Sequence, residues 1–160
     1  MQTSTLNISY WGMKIKISTK VEQDLANVKD GFNERLFINL SPAYPKVELN
    51  RYDGCEQGNI VSLSLNFGLF KQEWVSEIIS QTNSENMFEF IDVGRKLPFF
   101  IKKWKHKHII KRVGSGSMIV DDIEYSAPFL LLNYILFPLF YFQFLYRKPI
   151  YRKWFRKTGN

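Results

Sequence analysis

A chain of 160 residues suits a single domain with a real core and excludes two comfortable ones. Its 45% hydrophobic content is ordinary, but 16% aromatic residues, 14 of them Phe, call for wide apolar surface beyond core filling. The formal net charge of +7 leaves nucleic acid, an anionic membrane or plain solubility open, whereas the single cysteine, Cys55, excludes an internal disulfide and a cysteine-rich zinc site and fits a reducing, cytoplasmic compartment.

The opening "MQTSTLNISYWG" has no basic start and no continuous apolar run, so it does not read as a secretory signal. Residues 1–12 are expected to form a flexible extension and residues 13–157 the domain. Because Met13 directly precedes a clean strand pattern, translation from either Met1 or Met13 suits the sequence. From Lys14 to Val21, Ile15, Ile17, Thr19 and Val21 alternate with Lys14, Lys16, Ser18 and Lys20, which predicts a half-buried strand. Asp24 reads as the cap of a helix through "LANVKDGF", and "NERLFINL" as a second short helix stopped by Ser41-Pro42.

After "SPAYP" the hydrophobic period returns to two, punctuated at Asp53-Gly54, Gln57-Gly58, Gly68, Asn83-Ser84, Gly94 and Gly114-Ser115-Gly116. The expected strands are "KVELNRY", "NIVSLSLNF", "FKQEWVSEIIS", "NMFEFIDV", "FIKKWKHKHIIK" and "SMIVDDIEY", an antiparallel meander that brings the total to seven. Val61, Leu63, Leu65 and Phe67 share one face, as do Trp74 with Ile78, and Phe88 and Phe90 with Asp92. Such walls suit a deep apolar pocket holding a few polar groups.

The segment from Ala127 to Tyr146 carries no charge over 20 residues and is then followed by "RKPIYRKWFRK". Its length passes the usual test for a transmembrane helix. Asn133, Gln143 and Pro138 lower its insertion tendency, and its acidic residues precede it while the basic ones follow, the wrong bias for a simple anchor. The preferred reading is a helix lying across the concave face of a curved sheet, apolar nearly all round. Arg147, Lys148, Arg152, Lys153 and Arg156 then make a basic helix end favoured by the helix dipole, with peripheral membrane contact as the alternative.

In "WKHKHII", Trp104, His106, His108 and Ile110 share a strand face, and the lysines turn the other way toward outer carboxylates. A two-residue Gly114-Ser115 turn sets Trp104 opposite Tyr125, His106 opposite Ile123 and His108 opposite Asp121; a four-residue turn makes His108 and Asp121 diagonal neighbours. Both registers leave an imidazole near a carboxylate. Two histidines and an aspartate could be metal ligands, but the sequence holds no third histidine and the other inward positions are mostly apolar, so no metal is expected. His108 and Asp121 are the candidate acid-base pair, with neither a nucleophile nor an oxyanion hole to assign. Lysines on an outer strand face are ordinarily solvated, and no nucleic-acid partner is expected.

One strand, two short helices, six meandering strands and a long C-terminal helix resemble the α+β helix-grip fold. Within it, "LSPAYPKVELNRYDGCEQGNIVSLSLNF", "FIDVGRKLPFFIKKWKHKHII" and "IVDDIEYSAPF", with W-x-H-x-H followed by D-x-[IV]-x-Y, resemble the SRPBCC (START-like, polyketide cyclase and lipid-transport) superfamily. The closest similarity is to its bacterial stand-alone ligand-binding members. The resemblance implies a cavity between a curved sheet and the long helix, no cofactor, and a hydrophobic or amphipathic small molecule as partner. It carries over Trp104, His106, His108, Asp121 and Tyr125, and more weakly Asp92; Trp74 and Phe90 join them as wall residues. Binding or carriage is the expected function, against a cyclase or dehydratase using His108 and Asp121, or a membrane-associated interaction protein.

Overall fold

The structure, a computed structural model, describes residues 12–157, and the extension expected over residues 1–12 lies outside it except for Gly12. The chain runs β1 (Met13–Val21), α1 (Leu25–Gly31), α2 (Glu34–Asn39), β2 (Lys46–Tyr52), β3 (Ile60–Asn66), β4 (Lys71–Asn83), β5 (Met87–Lys96), β6 (Lys103–Val113), β7 (Gly116–Ser126) and α3 (Leu130–Trp154). The strands form one seven-stranded antiparallel sheet in the order β1-β7-β6-β5-β4-β3-β2. This is the helix-grip fold: a curved antiparallel sheet, two short helices and one long C-terminal helix.

Local chemistry accounts for the elements. The Asp24 carboxylate accepts from the Asn27 amide at 2.9 Å, and the Asn33 side chain from the Leu36 amide at 3.2 Å, so each short helix has an N-terminal cap. At the last hairpin Val113 pairs with Gly116 across Gly114-Ser115, and Gly114 takes φ +61°, a conformation that glycine adopts without a Cβ clash. The two-residue turn therefore sets the register, and His106 faces Ile123 while His108 faces Asp121. Outer lysines meet outer carboxylates as the pattern predicts: Lys14 lies 3.3 Å from Glu124 and 3.4 Å from Asp122, and Lys107 lies 3.5 Å from Glu89.

The inner face carries two apolar clusters. One joins α1 and α2 to the far end of α3 through Val28, Leu36, Phe88, Phe90, Tyr151 and Phe155. The other joins the first half of α3 to β1, β6 and β7 through Ile17, Trp104, Ile123, Tyr125, Phe140 and Phe144. Helix α3 touches this core along Asn133, Leu136, Phe140, Phe144 and Tyr151, at steps of three, four or seven residues, which is one side of a helix. The other side is exposed: Leu130, Leu131, Tyr134, Ile135, Leu139 and Phe142 are each more than half accessible. The helix is apolar nearly all round, as the sequence suggests, but only one of its sides is covered. A single layer of sheet covers one face of a helix, and nothing among the described residues covers the opposite one. No helix of the described chain is long and apolar enough to cross a membrane.

Candidate functional site

Three adjacent strands assemble a polar cluster on the inner face, at the boundary between the two apolar clusters. Asp92 of β5 stands opposite His106 of β6, and His108 stands opposite Asp121 of β7. The hydrogen bonds run diagonally across these pairs. His106 Nε2 lies 2.9 Å from Asp121 Oδ1, and His108 Nε2 lies 3.0 Å from Asp92 Oδ2. Asp121 thus takes its close bond from His106 rather than from His108, the partner expected from register. A ring nitrogen stands well beyond its Cβ, so in a twisted sheet it reaches the diagonal neighbour across the strand.

The second nitrogen of each ring faces the other carboxylate at longer range, His106 Nδ1 at 3.7 Å from Asp92 Oδ2 and His108 Nδ1 at 3.9 Å from Asp121 Oδ1. Each imidazole therefore lies between both carboxylates, and the two ring centroids are 3.6 Å apart. Helix α3 closes the cluster from above. Arg147 places Nη1 3.9 Å from Asp121 Oδ1 and lays its guanidinium 4.2 Å above the Phe144 ring, while the Tyr151 hydroxyl donates to Asp121 at 3.5 Å. Arg147 is thereby corrected from the solvated basic set to a charge partner of the site: it continues the buried stripe, three residues after Phe144 and four before Tyr151.

Burial governs the electrostatics. It pushes His106 down to about 4, and the charge of His108 adds to that, although the bond to Asp121 pulls the other way. At neutral pH His106 is uncharged, its Nε2–H donates to Asp121, and its Nδ1 lone pair is free. Burial opposes ionisation of Asp92, but the hydrogen bond from His108 and the neighbouring charges outweigh it and hold Asp92 below the usual carboxylate range. Asp121 is likewise held low against its burial, first by the His106 bond and with help from Arg147. Burial lifts Tyr151 above the ordinary phenol range, so it serves as a neutral donor.

Aromatic rings frame the four polar groups. Phe90 stacks on His108 with centroids 4.2 Å apart, Phe144 meets His106 edge-on at 5.0 Å, and Phe32 of the loop between α1 and α2 meets His108 at 6.5 Å. Trp104 lies 6.1 Å from His106. Of the remaining predicted residues, Trp74 packs behind Trp104 at 4.8 Å and donates its indole N–H to Ser76. Tyr125 is fully buried, and its hydroxyl donates to the Asn133 carbonyl at 2.8 Å, which ties β7 to the start of α3. Two surface hollows are lined by other residues: one of 210 Å³ beside Asp24 and Gly114, and one of 480 Å³ beside Gln72 and Lys96. His108 and Asp92 keep 15% and 12% of their side-chain surface exposed, so the cluster is approached past rings.

Arg147, Tyr151, Phe144 and Phe32 escaped the sequence reading of the site. The first three share the phase of Leu136 and Phe140, a signal masked because the outward residues of α3 are equally apolar. Chemically, a carboxylate bonded to an imidazole can orient a polar ligand or move a proton. Among the described residues Asp92, His106 and His108 also offer one donor atom each within 4.8 Å of one another, a set able to hold a metal ion.

No protein-family model matches the chain, and no curated protein matches it in sequence. Solved structures match in fold. Protein Ms6760 from Mycobacterium smegmatis is 11% identical, with a TM-score of 0.66 over 93% of this chain and 94% of that one. Norcoclaurine synthase from Thalictrum flavum, in complex with dopamine and hydroxybenzaldehyde, is 19% identical, with a TM-score of 0.54 over 79% and 76%. The Zhui aromatase/cyclase from a Streptomyces species is 12% identical, with a TM-score of 0.53 over 73% and 69%. At these identities the likeness is one of fold.

Proposed function

We propose that this chain is a member of the SRPBCC superfamily that binds a hydrophobic or amphipathic small molecule between the sheet and α3. The observation carrying the reading is the cluster of Asp92, His106, His108 and Asp121 set within a wall of aromatic rings. An apolar body displaces or slides between Phe32, Phe90 and Phe144, and burial of that surface drives binding. The polar end of the ligand bonds to the part-exposed His108 and Asp92, which fixes its orientation. The helix-grip neighbours include a complex with dopamine and hydroxybenzaldehyde, aromatic molecules of this general kind.

The test is native mass spectrometry of protein purified without detergent, followed by organic extraction and titration with a fluorescent amphipathic naphthalene probe. A discrete added mass, or probe binding that His108→Phe weakens by about tenfold, supports the reading. Protein that carries nothing and leaves the probe free sinks it.

A second reading concerns α3 and is favoured by its exposed side. Leu131, Ile135, Leu139, Phe142 and Tyr146 follow at steps of three or four residues along the outward face, and from Ser126 onward the chain holds six Lys or Arg and no Asp or Glu. The side chains of Leu69, Phe70 and Phe99 are exposed as well, and the Phe70 ring lies 6.0 Å from that of Phe99. An exposed apolar helix side that leads into a cationic end suits peripheral contact with an anionic lipid surface.

A further inference from the structure

We propose that Asp92, His106 and His108 form a binding site for one divalent transition-metal ion, with zinc as the first candidate. With its ring hydrogen on Nε2 toward Asp121 at 2.9 Å, His106 turns its Nδ1 lone pair to the Asp92 carboxylate at 3.7 Å, acceptor against acceptor. If His108 donates from Nε2 to Asp92, its own Nδ1 is left buried without a hydrogen-bond partner, facing Asp121 at 3.9 Å, which is a second acceptor against an acceptor.

A cation bound by Asp92 Oδ2, His106 Nδ1 and His108 Nε2 removes both conflicts together. His108 then carries its hydrogen on Nδ1 and points it at Asp121, which accepts from both rings. That is the carboxylate-histidine-metal relay by which outer carboxylates orient metal-bound imidazoles. Arg147 and Tyr151 already hold Asp121 in place for this duty. The separations from Asp92 Oδ2 to the two ring nitrogens, 3.0 and 3.7 Å, bracket the roughly 3.3 Å between ligands of a tetrahedral ion with bonds of about 2.0–2.1 Å. One ligand atom from each of the three side chains lies within 4.8 Å of the others.

Charge agrees with this. Two carboxylates against one guanidinium leave the buried cluster one negative charge in excess when the rings are neutral, and a divalent ion offsets it. Two imidazoles and one carboxylate favour zinc, iron or cobalt over magnesium or calcium, which prefer all-oxygen shells. Three protein ligands leave a fourth position for water or for the polar atom of a bound molecule. The site stands on this geometry alone, whether or not an apolar ligand binds.

The experiment uses the full chain stripped with EDTA, dialysed, and titrated with Zn²⁺ against a chromogenic chelator. Expected are one zinc per chain, a rise in melting temperature that EDTA reverses, and visible ligand-field bands with Co²⁺. Asp92→Asn and His108→Gln each weaken zinc binding by about a hundredfold, and Asp121→Asn by about tenfold. Because those variants also disturb the fold, the wild-type chain supplies a second readout: in ¹⁵N NMR, zinc shifts His106 Nδ1 and His108 Nε2 selectively. Absence of zinc uptake overturns the site. So does uptake that both ligand variants leave unchanged, or a shift confined to the opposite nitrogens.

Discussion

Asp121 shows how much one side chain can organise. It is 1% exposed, accepts from His106 and Tyr151, and stands within 3.9 Å of Arg147. Truncation to Ala leaves a buried cation and an imidazole N–H unpartnered, at a cost of about 3 kcal/mol in urea unfolding. His106 makes the cluster sensitive to acid. Its folded value of about 4 lies below the ordinary 6.5, so between those values the unfolded chain binds a proton that the native chain does not. Stability therefore rises with pH across that window, is fully present above 6.5 and is lost as pH falls toward 4. The low-lying carboxyls of Asp92 and Asp121 extend the loss further into acid. Urea midpoints measured with EDTA present should fall from pH 6.5 downward, and His106→Gln should flatten that slope; an unchanged slope would show that His106 is not the group responsible. The strand alternation made the presence of an imidazole beside a carboxylate legible, but which ring serves which carboxylate depended on ring tilt within a twisted sheet.

Helix α3 is apolar on both sides, yet its sides do different things. Phe144 is 2% exposed and packs on His106, Trp104 and Arg147, whereas Phe142, two residues earlier, is 64% exposed. Phe144→Ala should cost about 3–5 kcal/mol in chemical unfolding. Phe142→Ala should lie within about 0.5 kcal/mol of wild type. Equal losses at both positions would mean that the outward face is covered in solution. The existence and approximate length of α3 could be read from composition, as could the two short helices, the first from its Asp24 cap. The phase of α3 could not, because hydrophobic periodicity identifies a buried stripe only when the opposite side is polar. Pro138 and Pro149 both lie on exposed positions, where a missing amide disturbs no contact with the sheet.

For the molecule as a whole, the side of α3 left uncovered by the described residues, together with its cationic end, is where the proposed lipid contact can be tested. The chain should co-sediment with phosphatidylcholine vesicles containing phosphatidylglycerol, less so at high salt, and Leu131→Ser combined with Phe142→Ser should abolish this without lowering the melting temperature. Failure to co-sediment, or a dimer that those substitutions dissociate, would count against lipid contact. By itself the sequence determined the seven strands, their order along the chain, the inner and outer faces of β6 and β7, and the placing of histidine beside aspartate. Those features follow from period-two alternation, glycine turns and capping residues, all local in the chain. Tertiary structure alone decided that Asp92 and Asp121, 29 positions apart, bracket the same two rings, and that Arg147 turns inward to one of them. The physical reason is that these contacts join three strands and a helix through side-chain reach and helix rotation, which no local pattern encodes.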